Sequence, residues 1–297
     1  MVTTFGGLEA GGTKFICVVG DGPDSIVDSE RIEVTGPGET IPAAVAFFRR
    51  ALDRGIELEA IGIGSFGPLE LRPGHPRFGS ILSTPKPGWS GADILGPVRD
   101  LGLPVAIDTD VDAAALGEGR WGAARGLRSF IYLTIGTGIG GGALVDGRVV
   151  HGLVHPEMGH VAVSRRPGDG FPGVCPFHRD CWEGLASGPA IGARFGRPAE
   201  TLAGPDRDEA VAIAAFYLAA GVRSLVYALA PDRVVVGGGL GSMPGLIESA
   251  RRELVTQLAG YPGLPEHADA TFLVPAALGA MAGPAGTLAL AELAGRG

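Results

Sequence analysis

The chain has 297 residues and a net charge of −8, with 45% hydrophobic and 19% charged residues. Length and apolar content suffice for two domains with sizeable cores and exclude intrinsic disorder. No run of Lys or Arg supplies the basic face a nucleic acid needs, and three cysteines are too few for a disulfide framework.

The start, Met1-Val2-Thr3-Thr4-Phe5, carries no basic leader, and no segment reads as reaching membrane-spanning length, so a cytoplasmic protein without a membrane partner is expected. Along the chain, residues 15–19 read as a strand after a Gly-rich turn, 41–52 as a helix by its apolar spacing, and 61–64 as a buried strand. Residues 105–108 predict a strand running into the strong helix formers of 113–118. Strands at 130–135 and 142–145 flank a glycine cluster, and 185–193 predicts a helix. A long apolar helix over 208–229 stops at Pro231, and a strand over 233–236 ends on a Gly triplet. Strands alternating with helices specify an α/β protein. One arrangement occurs twice: strand, Gly-rich turn, strand, over 8–19 and again over 133–145. That repetition points to a duplicated α/β unit.

The usual readings of the two turns fail. Gly11-Gly12-Thr13-Lys14 inverts the order of a P-loop and no helix follows. Gly136, Gly138 and Gly141 have dinucleotide-site spacing, but strand-like Ala143-Leu144-Val145 follows where a helix should open. Each turn can be an ordinary tight hairpin, or it can direct backbone N–H groups at an anion, with Thr13 and Thr137 adding hydroxyl donors. Two such turns, with a third cluster at Gly237, Gly238 and Gly239, favour a bound nucleotide.

The segments Glu9-Ala10-Gly11-Gly12-Thr13-Lys14, Thr109-Asp110-Val111-Asp112-Ala113-Ala114-Ala115-Leu116-Gly117-Glu118, Gly136-Thr137-Gly138-Ile139-Gly140-Gly141 and Pro156-Glu157-Met158-Gly159-His160 occur in that order. Together they resemble the ROK sugar kinases, over nearly the whole chain. The resemblance implies a two-domain actin-like ATPase (ribonuclease H-like) α/β fold of the hexokinase superfamily. It places the smaller domain at 1–112 plus 276–297, and the larger, with a zinc-binding loop, at 113–275. It also implies ATP and Mg²⁺ as cofactors, a homodimer, and transfer of the γ-phosphate to a hexose. Glu9, Gly11, Gly12, Thr13, Lys14, Thr137, Gly138, Gly237, Gly238 and Gly239 would contact the nucleotide. Ser83-Thr84-Pro85-Lys86-Pro87-Gly88-Trp89 and the segment from His155 to His160 are similar to bacterial fructokinases. D-fructose yielding fructose 6-phosphate is therefore the first expectation, with glucose, mannose or an N-acetylhexosamine as the alternative.

Phosphoryl transfer to a hydroxyl needs a base beside the attacking oxygen. Asp108, Asp110 and Asp112 alternate at a strand end, which puts them on one side if the strand continues; Asp112 would otherwise suit a helix N-cap. The family pattern assigns the base to Asp110. Asp112 stands where the family often has an Asn that touches the sugar, and Glu9 stands where it usually has Asp, able to hold Mg²⁺ through water.

Cys175-Pro176-Phe177-His178-Arg179-Asp180-Cys181 places three metal-ligating residues in seven, and His160 lies upstream. Two thiolates and two imidazoles form a closed structural Zn²⁺ site, and the polar loop over 165–174 needs such a staple. His151 and His155 are the alternative ligands. By the resemblance, Glu157, His160 and Glu183 hydrogen-bond sugar hydroxyls. Two rivals are weaker: a sugar-sensing repressor would need a helix-turn-helix before the first turn, where eight residues precede Glu9, and a non-catalytic sugar-binding protein would have no use for Asp110.

Overall fold

The computed structural model describes residues 3–296, which form two compact α/β units. The first runs through Gly126 and adds Val149–Pro156 and the stretch from Ala277 onward; the second comprises Leu127–Arg148 and Glu157–Ala276.

In the first unit the chain lays down β1 (Thr4–Ala10), β2 (Lys14–Gly20), β3 (Ile26–Glu33), α1 (Pro37–Asp53), β4 (Leu58–Ser65), α2 (Leu95–Arg99), β5 (Val105–Thr109) and α3 (Asp110–Trp121). The sheet order is β3-β2-β1-β4-β5, with β1 and β2 an antiparallel hairpin and β1, β4 and β5 parallel. Helix α1 starts with a proline in its first turn, which costs no intrahelical bond. It turns Ile41, Ala44, Phe47, Phe48 and Ala51, at helical spacing, into a core with Phe15, Ile61 and Trp89.

The second unit repeats the plan with β6 (Phe130–Ile135), β7 (Ile139–Val145), β8 (Arg148–Val149), α4 (Trp182–Ala186), α5 (Gly188–Phe195), α6 (Gly204–Leu229), β9 (Arg233–Gly237), α7 (Leu246–Leu258) and β10 (Leu273–Pro275). Its sheet reads β10-β9-β6-β7-β8, the same topology, with β6–β7 the antiparallel hairpin and β9 parallel to both β6 and β10. Helix α6 corrects one expectation: it is long and apolar enough to cross a membrane, yet 72% of that stretch is buried inside the structure, where Ala214, Leu218, Val222 and Leu225 pack.

The segment read as one helix over 185–193 is two. Pro189 lacks the N–H that would continue α4, and Ser187 caps the restart by accepting the Ala190 N–H at 3.4 Å. The final helix, α8 (Ala282–Gly295), returns to the first unit and lies on β1, β4 and α3. Glycines permit this contact. A Cβ on Gly62 of β4 would strike the Thr287 carbonyl, and one on Gly286 would strike the Ala113 carbonyl. The start of α3 is thereby seated against a backbone rather than a flexible side chain.

Candidate active site

Strand β5 ends at Thr109 and α3 begins at Asp110, so the alternation expected of the three aspartates does not continue along a strand. Asp108 is the last acid on the strand, while Asp110 and Asp112 lie in the first helical turn. The N-cap is Thr109, not Asp112: its hydroxyl oxygen accepts the Asp112 N–H at 3.0 Å and its O–H donates to Asp112 Oδ2 at 2.6 Å. The pair has the spacing of a capping box, but Asp112 takes the Thr109 hydroxyl, while the Thr109 N–H goes to Asp108 Oδ1 at 2.8 Å. It fixes the backbone on both sides of Asp110.

Asp110 Oδ1 accepts the Val111 N–H at 2.9 Å. Burial first, and repulsion from Asp112 second, push its carboxyl up to about 6. Glu9, the next-to-last residue of β1, is pushed up to about 7 by burial and by Asp110, while Lys14 acts in the opposite direction. A carboxyl raised by its burial and by a neighbouring carboxyl favours a cation, and Glu9 fits the role of a water-mediated Mg²⁺ ligand. The turn between β1 and β2 is closed by the Gly11 N–H to the Lys14 carbonyl at 3.0 Å, and the space outside Gly12 is open. Lys86 donates its ammonium to the Gly12 carbonyl and lies over the Phe66 ring. Sequence reasoning singled out the segment around Lys86 but not this contact.

In the second unit the β6–β7 turn is tied to α5 by the Gly188 N–H, which donates to the Gly136 carbonyl at 2.7 Å. A cavity of about 750 Å³ opens there, lined mainly by apolar surface and by Thr137, Gly188, Gly192, Pro198, Gly239 and Met243 among others. Its size suits an adenosine-sized ligand. Thr137 and Gly239 were expected there; the wall from α5 and residue 198 was not, because glycines and prolines scattered over ten residues give no periodic signal. Gly138 lies against the Glu183 carboxylate, Gly237 against the Tyr132 hydroxyl, and Gly238 takes φ +85°, which a side chain would resist. Glu183 accepts the Ile139 N–H at 2.9 Å, so one of its oxygens is committed to the turn. Glu157 is exposed and precedes the short 3₁₀ turn Met158–His160.

The metal candidates converge. His160 Nδ1 lies 3.7 Å from Cys175 Sγ and 3.6 Å from Cys181 Sγ, and His178 Nδ1 lies 3.9 Å from Cys175 Sγ. A tetrahedral Zn²⁺ with ordinary Zn–S and Zn–N bonds requires N···S edges of about 3.6 Å, so the donor set fits zinc. Both thiols are buried, and burial with the neighbouring Cys175 pushes Cys181 up to about 11, a proton that metal would displace. The alternative ligands do not join: His155 accepts the Leu69 N–H at 3.0 Å and His151 lies on Asp108 at 3.0 Å. The polar loop has a second staple that the sequence did not disclose. Asp169 receives two bonds from Arg194 of α5 at 2.8 Å each and the Tyr217 hydroxyl, with Arg194 stacked 4.1 Å from the Phe171 ring centre.

Known proteins resemble this chain over nearly its full length. A fructokinase of Zymomonas mobilis is 42% identical over 97% of this chain and 96% of its own. The crystal structure of a ROK hexokinase from Thermus thermophilus superposes with a TM-score of 0.80 at 32% identity, covering 98% of both chains. A ROK family glucokinase from Streptomyces griseus, solved with glucose and AMPPNP, superposes with a TM-score of 0.73 at 26% identity, covering 99% of this chain and 100% of its own. The two sheets are those of the two-domain actin-like ATPase fold shared by these sugar kinases. The model of the ROK family matches residues 5–294, and the chain belongs to that family.

Proposed function

We propose that this chain is a cytoplasmic ATP-dependent fructokinase, which transfers the γ-phosphate of ATP to the 6-hydroxyl of D-fructose and works as a homodimer. The observation that carries the reading is Asp110: a half-buried carboxyl at a helix start, flanked by the mutually bonded Thr109 and Asp112, and pushed up to about 6. Such a group is mostly ionised at neutral pH and still basic enough to accept a hydroxyl proton as that oxygen attacks. Similarity to the Zymomonas mobilis fructokinase over nearly the full length supports fructose as the sugar.

In this reading the glycines and threonines of the two turns, Gly11 to Lys14 and Gly136 to Gly138, direct backbone and hydroxyl donors at the triphosphate. The cavity beside Thr137 and Gly239 takes the adenosine. Glu9 would hold Mg²⁺ through water, and the ion would offset charge on the phosphate oxygens. Asp112, Glu157, His160 and Glu183 contact the sugar. His160, Cys175, His178 and Cys181 would hold a structural Zn²⁺, which would orient His160 and anchor the loop that leads to Glu183. Incubating the purified protein with Mg²⁺, ATP and fructose should yield ADP and a sugar monophosphate whose ³¹P–¹³C couplings place the ester on C6. Failure to form any hexose phosphate would refute the assignment.

A further inference from the structure

Beside Asp110 lies a cluster for which proton transfer alone has no use. Asp108 and Asp112 are 6% and 1% exposed, and His151 sits on both. Asp108 Oδ1 accepts the Thr109 N–H at 2.8 Å and lies 3.0 Å from His151 Nε2. Asp112 Oδ2 takes the Thr109 hydroxyl at 2.6 Å and lies 3.6 Å from the same nitrogen. The other oxygen of Asp112, Oδ1, is buried without a hydrogen-bond partner. A buried carboxylate oxygen left bare is costly, so its persistence points to a donor that arrives from outside.

One ring nitrogen facing two carboxylates must carry a proton, because a lone pair there would meet two anions. The same two anions hold the second ring proton and push His151 up to about 10. The groups facing it are Asp108 from β5 and Asp112 from α3, with Asp110 acting through Asp112 and His155 opposing from its own segment. Burial and Asp108 drive Asp112 towards its neutral form; His151 and the Thr109 hydroxyl drive it back. Three carboxyls within five residues thus have one cation among them.

We propose, on the reading of this chain as a hexose kinase, that His151 is a positioning residue for the acceptor sugar: its imidazolium offsets Asp108, holds Asp112 as a carboxylate, and leaves Asp112 Oδ1 to accept a second hydroxyl of the sugar beside the one Asp110 deprotonates. Asp112 is then an acceptor only, whereas an amide at this position could present either a donor or an acceptor. His151 is the partner that makes a charged residue tolerable there. Without it Asp112 would take up a proton, and the site would lose its second acceptor at the pH where Asp110 works.

The charge of His151 can be read directly. In ¹³C-histidine-labelled protein, the His151 ring signal, assigned by its loss in His151→Gln, should remain that of an imidazolium from pH 6 to 8; a neutral ring at pH 7 would overturn the proposal. His151 is about one-third exposed, so the variant should fold. Its kcat/KM for fructose at pH 7 should fall by about 10- to 100-fold through KM as well as kcat, with KM for ATP within about twofold. The acid limb of its pH profile should move up by at least about half a unit, because removing a cation raises the neighbouring carboxyls. Adding Asp112→Asn to that variant removes the excess charge and should return the limb to its original position. An unmoved limb in His151→Gln, or one that the second substitution does not restore, would contradict the mechanism. So would a second metal ion per chain that His151→Gln abolishes, since the three donor atoms lie within 4.8 Å of one another. The ring signal needs no sugar: a wild-type protein inert towards every hexose would refute the kinase reading, and the sugar role with it, while the charge of His151 stayed measurable.

Discussion

Replacing Asp110 by Asn removes the acceptor for the hydroxyl proton while keeping size and the Val111 contact, since the amide oxygen can still take that N–H. General-base catalysis contributes about 10²–10⁴-fold, equivalent to about 2.7–5.5 kcal/mol of barrier, and that is the expected loss in kcat. The structure adds a pH signature. The carboxyl of Asp110 is raised to about 6 by burial and by Asp112. The competent form is the ionised one. Wild-type kcat/KM should therefore be flat above about pH 7 and fall roughly tenfold per unit below about 6 as the base is protonated. In Asp110→Asn the steep limb should largely vanish, because the group that set it is gone. A coupled ADP-release assay between pH 5 and 8, with sugar binding followed by calorimetry, measures both effects. Turnover within tenfold of wild type in a folded variant, or an unchanged acid limb, would refute the assignment of the base.

Zinc should be present at one ion per chain after purification without chelator, and Cys181→Ser should raise KM for the sugar more than KM for ATP and lower Tm; a metal content near zero would refute the site. Arg194→Met takes the cation from the Asp169 carboxylate but leaves it the Tyr217 hydroxyl and the Phe171 N–H, and should cost about 1.5–3 kcal/mol of stability by denaturant titration. The Arg194 bonds hold Asp169 well below the usual carboxylate range, so the pair's contribution is in place above about pH 4 and is lost as pH falls through the lower folded value. An acid limb of stability identical in wild type and Arg194→Met would contradict this. Gly286→Ala should cost about 1–3 kcal/mol or more by driving α8 off the Ala113 carbonyl, and should impair activity by moving α3; a variant as stable as wild type would show that the helices can part freely.

Much of the site was legible where its chemistry is local. The two turns and the Cys-x-x-His-x-x-Cys run each lie within seven residues, so spacing alone located them. The helix cap was equally local: Thr109 stands three residues before Asp112, and giving the cap to Asp112 overlooked that threonine. The helix break at Ser187 was also written in the sequence, as Ser-Gly-Pro. What stayed hidden depends on pairs far apart in the chain. His151 meets Asp108 across 43 residues and Asp169 meets Arg194 across 25, and neither pair has a periodic signal. The membrane-length helix α6 misled by composition, because an apolar surface all round fits a buried core helix as well as a bilayer.

The most direct test of the whole account is the ratio of kcat/KM for fructose to that for glucose, measured on the zinc-loaded protein with Mg²⁺ and ATP. A fructokinase assembled as described should favour fructose. A ratio favouring glucose by tenfold, about 1.4 kcal/mol of transition-state discrimination, would contradict it and make the protein a glucokinase.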